Sequence, residues 1–188
     1  MKALALIAGP RKGQATDSIT DAVLRGINER QIETEKIYLH DLDIRPCLGC
    51  SNCHKIKECI IEDDHQMVLD KMDKSDIIVF ASPTYVSNVT SVAKAFMDRS
   101  IRFFEMTKFG PRRLSDRPSK VILITSCGAP FPFSHILGFS SGCMRAMKAF
   151  FKPMNVKTKT LTATGIKDFD AKSCSGILKK AYKLGRTI

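Results

Sequence analysis

With 188 residues and 44% hydrophobic composition, the chain can bury one well-formed core but not two, so a single domain over residues 1–188 is expected. No apolar run approaches the roughly 20 residues that cross a bilayer, and Met1 leads into residues 3–8 without the basic, apolar and small-residue succession of a secretory signal; a cytoplasmic protein with no membrane partner is expected. The net charge of +11 invites a nucleic-acid reading, but the cations are spread along the chain (Lys2, Lys36, Lys94, Lys120, Lys179) without a nucleic-acid-binding motif, so no nucleic acid is expected, and the basic surface suits an acidic partner or an anionic cofactor.

Residues 2–8 read as a first buried strand, followed by a helix from Thr16 or Asp17 with Ile19, Val23, Leu24 and Ile27 on one face. A second strand is expected over 34–39, then a cysteine-rich insert, then a helix over 63–74 with Met67, Val68 and Met72 at near-helical spacing. The third strand covers 76–81, and 91–106 reads as one long helix carrying Val92, Ala95, Phe96, Ile101 and Phe104. Pro118 precedes a fourth strand over 120–125; residues 140–151 read as a helix that Pro153 ends, 156–162 as the fifth strand and 171–184 as the last helix. Strands alternating with helices predict an α/β fold, an open doubly wound five-stranded parallel sheet in the order 2-1-3-4-5.

In such a sheet a ligand sits beyond the carboxyl ends of the strands, where the strand order reverses. The loops after strands one, three and four are therefore the candidate site. The first, Gly9-Pro10-Arg11-Lys12-Gly13-Gln14-Ala15-Thr16, joins glycines, two cations and a hydroxyl to a helix start, a combination that suits a phosphate; the bland alternative is a turn capped by Thr16. It has neither the Lys-Ser or Lys-Thr ending of a triphosphate loop nor Gly-x-Gly-x-x-Gly spacing, so a monophosphate fits better. The second, Ser82-Pro83-Thr84-Tyr85-Val86-Ser87-Asn88-Val89-Thr90, offers an aromatic wall in Tyr85 and polar edges in Thr84, Asn88 and Thr90, or else a plain Asx turn. The third, Ser126-Cys127-Gly128, completes the wall, with Gly128 admitting close backbone approach.

Four of the seven cysteines, Cys47, Cys50, Cys53 and Cys59, fall within thirteen positions after the second strand. Cys-x2-Cys-x2-Cys-x5-Cys lets one loop wrap an iron-sulfur cluster; four cysteines also suit zinc, usually as two separated pairs, and redox-sensing thiols are the third reading. Disulfides are disfavoured inside cells. Cys127, Cys143 and Cys174 read as small buried hydrophobes, and His40, His54, His65 and His135 show no ligand spacing.

The Pro-Arg-Lys loop, the segment Ser-Pro-Thr-Tyr-x-x-Asn-Val-Thr and the following Lys-Ala-Phe-Met-Asp-Arg resemble the NADPH-dependent FMN reductase family over nearly the whole chain. The resemblance implies a flavodoxin-like fold with FMN held by the three loops. The family's first loop usually reads Gly-Ser-Pro-Arg-Lys; here it is Ala8-Gly9-Pro10-Arg11-Lys12, so a hydroxyl is missing and the phosphate site leans on Thr16 and backbone amides. The cysteine spacing in this setting resembles the iron-sulfur flavoproteins within that family. That likeness implies a 4Fe-4S cluster on Cys47, Cys50, Cys53 and Cys59 within a loop of about residues 46–60, and a homodimer or homotetramer in which the cluster of one subunit lies close to the FMN of another; the function expected is electron transfer between cluster and FMN from a donor such as ferredoxin. The competing reading is an NAD(P)H-dependent FMN or quinone reductase whose cysteine loop is structural or binds zinc.

Overall fold

The computed structural model describes residues 1–56, 58–100, 104–108, 110–114, 116 and 118–188. In chain order the main elements are β1 (Lys2–Ile7), α1 (Ala15–Asn28), β2 (Glu33–Tyr38), α2 (Asn52–Ile56), α3 (His65–Asp73), β3 (Ile77–Pro83) and α4 (Ser91–Arg99). They are followed by β4 (Phe104–Thr107), β5 (Gly110–Arg113), β6 (Lys120–Ser126), α5 (Phe133–Ile136), α6 (Phe139–Phe151), β7 (Lys157–Ala163) and α7 (Ser175–Arg186).

Five parallel strands form one sheet in the order β2-β1-β3-β6-β7, the expected 2-1-3-4-5 once β4 and β5 are set aside. The central strands β1, β3 and β6 are buried on both faces, and for that reason they read as unbroken apolar runs. Because side chains alternate, Leu4, Leu6, Ile78, Phe80, Val121 and Leu123 pack with α3, α4 and α6 on one side, while Ala5, Ile7, Val79, Ile122 and Ile124 meet α1 and α7 on the other. The two helices on that second side approach until their backbones touch. A Cβ on Gly26 would stand 2.2 Å from the Tyr182 carbonyl oxygen, and one on Gly185 would stand 2.1 Å from that of Val23.

The long helix expected over 91–106 is shorter. It begins at Thr90, whose hydroxyl accepts from the Ala93 amide at 3.4 Å, and ends at Arg99. At Ser100 the backbone leaves helical geometry and the hydroxyl donates to the Phe96 carbonyl at 2.7 Å, satisfying one of the last-turn acceptors. Phe104 opens β4, which pairs antiparallel with β5, so the helical spacing beyond Arg99 was accidental; Ile101 lies outside the described residues.

Candidate functional site

A cavity of about 180 Å³ opens at the carboxyl ends of β1, β3 and β6. Gly9, Pro10, Arg11, Gln14, Ala15 and Thr16 line it from the first loop, Pro83, Thr84 and Tyr85 from the second, and Ser126, Cys127 and Gly128 from the third. The strand-order reversal between β1 and β3 thus gathers three loops far apart in sequence.

The first loop is anchored from beneath. The buried Asp17 carboxylate accepts from the Gly13 amide at 2.7 Å, from the Tyr38 hydroxyl at 3.0 Å and from the Lys36 ammonium at 3.0 Å. Burial works against the Lys36 charge, but hydrogen bonds to Asp21, Tyr38 and Asp17 outweigh it and keep the ammonium protonated beyond its ordinary range. At the start of α1, Gln14 makes no side-chain capping bond, so the first-turn amides keep their donors free of any cap. Thr16 and Ser126 face each other across the cavity floor at 2.7 Å. Their mutual bond uses one hydroxyl hydrogen and leaves the other to donate.

Other expected residues serve the frame instead. Lys12 turns away to pair with Asp41 at 2.6 Å and lies over the Tyr38 ring. Thr90 donates to the Ala8 carbonyl at 2.9 Å, and its amide donates to Ser82 at 3.2 Å, which ties β1, β3 and α4 together below the cavity. Val89 is buried, and the exposed Asn88 accepts from the Val89 amide. Lys12, Ser82, Asn88, Val89 and Thr90 therefore do not line the cavity.

Tyr85 and Asn88 exchange backbone hydrogen bonds of 2.9 Å around Val86 and Ser87, both in the left-handed region at φ 47° and 59°. A β-branched residue there is strained. Gly142 of α6 seats the turn, because a Cβ at that position would stand 2.0 Å from the Ser87 carbonyl oxygen. Ile166 and Lys167, which the sequence reading missed, close the remaining side of the cavity. The Gly165 amide donates to Ala129 and the Ile166 amide to Cys127, folding the loop after β7 back over the third loop. The signal available in sequence was Gly165, held at φ +75°.

Of the four clustered cysteines, Cys47 and Cys50 are exposed and Cys53 and Cys59 half-buried. Among the described residues no three His, Cys, Asp or Glu side chains converge as a metal site. Two of the sulfurs nevertheless accept hydrogen bonds, Cys47 from the Gly49 amide at 3.4 Å and Cys59 from Arg99 Nε at 3.3 Å, as thiolate ligands do. The base of the loop is clasped shut, with the Asp43 amide donating to Asp64 and the Asp64 amide to Asp43. Arg99, buried at the end of α4, also donates to the carbonyls of Arg45 and Ile61 and makes a two-pronged pair with buried Asp63. Burial alone would push the Asp63 carboxyl up, but Arg99 and the amides of Arg45 and His65 hold it down to about 2. Cys127, Cys143 and Cys174 are buried, as expected, and burial pushes the Cys143 thiol up, keeping it neutral.

Beside this clasp His65 is fully buried; Nε2 faces the Phe96 carbonyl at 3.2 Å, so the proton resides there, and Nδ1 has no partner among the described residues. Burial, with the Arg99 charge nearby, pulls the imidazole down to about 4 from an ordinary 6.5. Because the folded value is the lower one, the unfolded chain takes up the proton first, and stability falls as pH drops below 6.5. Between pH 7 and 5 this costs about 2 kcal/mol. Urea titrations at both pH values check it, and in His65→Phe that part of the loss should vanish.

Comparison with known proteins follows the same lines. A family model described as NADPH-dependent FMN reductase matches residues 1–130. An iron-sulfur flavoprotein of Methanosarcina thermophila is 35% identical over 101 residues, 54% of this chain and 53% of the relative, and one of Clostridioides difficile is 40% identical over 100 residues, 51% and 44% of the respective chains. The chain thus spans about half the length of the curated relatives it matches. Among solved structures, an NAD(P)H:quinone oxidoreductase from Methanothermobacter marburgensis superposes with a TM-score of 0.78 at 17% identity, over 100% of this chain and 95% of the other. An FMN-dependent NADH-azoreductase from Bacillus anthracis in complex with FMN superposes at 0.70 and 17% identity, over 99% and 96%. At such identities these two likenesses establish the fold alone. No helix among the described residues is long and apolar enough to cross a membrane.

Proposed function

We propose, for a chain that belongs to the NADPH-dependent FMN reductase family and stands on its iron-sulfur flavoprotein branch, that it is an electron-transfer protein holding FMN in the cavity above β1, β3 and β6 and a 4Fe-4S cluster on Cys47, Cys50, Cys53 and Cys59. The observation that carries the flavin half is the uncapped start of α1, set beside Arg11 and a spare hydroxyl hydrogen from the Thr16 and Ser126 pair, all at the cavity. Such a set suits a phosphate monoester. The cavity's 180 Å³ is below the roughly 300–1000 Å³ of pockets that enclose a drug-sized ligand. A bound FMN would therefore be only partly enclosed, with Tyr85, Cys127 and Gly128 among the residues that would meet it.

Bound, FMN would supply a ring that takes one or two electrons, and the cluster a one-electron store. The chain's own work is placement. Arg11 and the first-turn amides would hold the anion, and Ile166 and Lys167 complete the lining. Helix α4 runs between the two candidate sites, from Thr90 below the cavity to Arg99 at Cys59, its nine residues spanning about 14 Å, and in the proposed oligomer the cluster of one subunit would lie close to the FMN of another. No acid or base side chain is required. A low-potential protein such as ferredoxin, or NAD(P)H, would be the donor, and a homodimer or homotetramer the working unit.

The competing reading, an NAD(P)H-dependent FMN or quinone reductase with a structural or zinc-binding cysteine loop, draws on one observation: the four thiols are not gathered among the described residues. Iron, acid-labile sulfide, zinc and flavin determination on anaerobically purified protein separates the two. About four irons and four sulfides with one FMN per chain support the proposal. FMN with no iron, and rapid bleaching by stoichiometric NADPH, would transfer the case to the reductase. For the flavin site itself, Arg11→Ala should weaken FMN binding about tenfold, since a charge-assisted contact to phosphate at an exposed site contributes roughly 1–2 kcal/mol. Quenching of flavin fluorescence on titration measures it.

A further inference from the structure

The charge of this protein is more unevenly divided than its cations suggest. Residues 118–188 carry twelve Lys and Arg against two Asp, while residues 1–117 carry eighteen against seventeen acids, so +10 of the net +11 belongs to the C-terminal part. In the N-terminal part Lys2, Lys12, Lys36, Lys71, Lys94 and Arg99 are each paired with a carboxylate. Among the described residues Arg145, Lys148 and Lys152 have no such partner. They stand exposed on α6 and its end, at a spacing that keeps them on one face of the helix.

This face overlooks the open edge of the sheet. Two adjoining hollows of about 300 and 400 Å³ share Lys148 and Thr160 and make one groove between α6 and β7. Its floor is the ladder Thr158, Thr160 and Thr162, which alternation places on one face of β7. Among the described residues, strand β7 has a sheet neighbour on one side only. The Cys127 amide donates to the Ala163 carbonyl, so Ala163, Leu161 and Lys159 turn their backbone groups toward β6, and Thr158, Thr160 and Thr162 turn theirs outward. Edge lysines are a common guard against unwanted strand pairing. Lys159 fits that role, on the opposite side, donating to Thr187. The α6 cations do not, because they belong to a helix and face the groove.

We propose that the α6–β7 groove docks an acidic segment of a partner protein, laid extended along β7 with its carboxylates against Arg145, Lys148 and Lys152. An extended acidic peptide answers both features at once, the unpaired backbone edge and the uncompensated cations, whereas a nucleic acid answers only the second. The groove ends at Thr162, four residues before Ile166 in the cavity wall, so the partner would be delivered to the rim of the cavity. The inference stands whatever the cavity binds.

The probe is a fluorescein-labelled peptide of alternating Glu and Val, read by fluorescence anisotropy at low ionic strength on the full-length protein. Binding should weaken about tenfold in Lys148→Glu/Lys152→Glu, and less than about twofold in Lys179→Glu/Lys180→Glu, which changes the net charge equally on α7. The same peptide N-methylated at alternate residues keeps its charge but cannot pair as a strand, and it too should bind about tenfold more weakly. Equal loss from both charge reversals, no effect of N-methylation, or tighter binding of a single-stranded oligodeoxynucleotide or phosphatidylserine vesicles of matched charge would each overturn the proposal.

Discussion

Arg99→Gln is expected to be the most damaging single substitution at the cysteine loop, lowering stability by about 3–5 kcal/mol, the usual result of removing one member of a buried ion pair. The whole side chain is spent on the segment that brackets the cysteines: Arg45, Cys59, Ile61 and Asp63 all accept from it. Glutamine supplies too few donors and leaves the buried Asp63 carboxylate with two amides and the more distant, half-exposed Arg45 guanidinium, whose Nε lies 3.8 Å away. Urea denaturation should show the loss, and Arg99→Gln/Asp63→Asn should recover part of it, since no unpaired charge then remains. The loop should feel the change separately. On protein stripped of metal, iodoacetamide should label exposed Cys47 and Cys50 ahead of Cys59 in wild type, and in Arg99→Gln that order should collapse. If Cys59 kept its protection, the guanidinium would be shown to hold the clasp without holding the sulfur. A drop in bound iron per folded chain would mark the same change from the side of the cluster.

The second large effect is expected at a residue that does not itself line the cavity. Gly142→Ala puts a methyl 2.0 Å from the Ser87 carbonyl oxygen, a distance no relaxation of one side chain can absorb, because the obstacle is backbone. Helix α6 cannot easily retreat, with Cys143, Met144 and Met147 buried behind it. The Tyr85–Asn88 turn can, since Val86 already holds a left-handed conformation worth about 1–3 kcal/mol of strain and stands fully exposed. The turn should therefore move and carry Tyr85 with it. FMN affinity should fall at least about tenfold, or 1.4 kcal/mol, while the urea midpoint shifts modestly. Unchanged affinity with a large loss of stability would mean that α6 yields instead.

Both substitutions act through features that a linear reading finds hard to see. The strands were legible because a centre strand buried on both faces must be apolar throughout, so β1, β3 and β6 announce themselves and fix the alternation. The three loops followed from the topology, and the structure brings most of their expected residues around one cavity. What escaped was decided by contacts between distant parts. Nothing local told Lys12 to turn toward Asp41, or Thr90 and Ser82 to brace Ala8 from below. Ile166 and Lys167 reach the cavity only because their loop pairs with Cys127 and Ala129. The helix that stops at Arg99 kept its periodic spacing past the end, and only the buried bonds of Arg99 and Ser100 show why it stops. Gly142 looked like an ordinary helix position until the turn above it was known.

The touching backbones of α1 and α7 bear on how the protein comes into being. The helix that follows the first loop is made well before the helix that covers it, with most of the sheet lying between them in the chain. Until residues 175–186 emerge, Ile19, Val23 and Ile27 have no complete cover, and the cavity's first wall stands on an unsupported helix. Cofactor loading thereby waits on α7, and a nascent chain stalled before Gly185 would present an adhesive apolar surface to chaperones rather than a functional pocket.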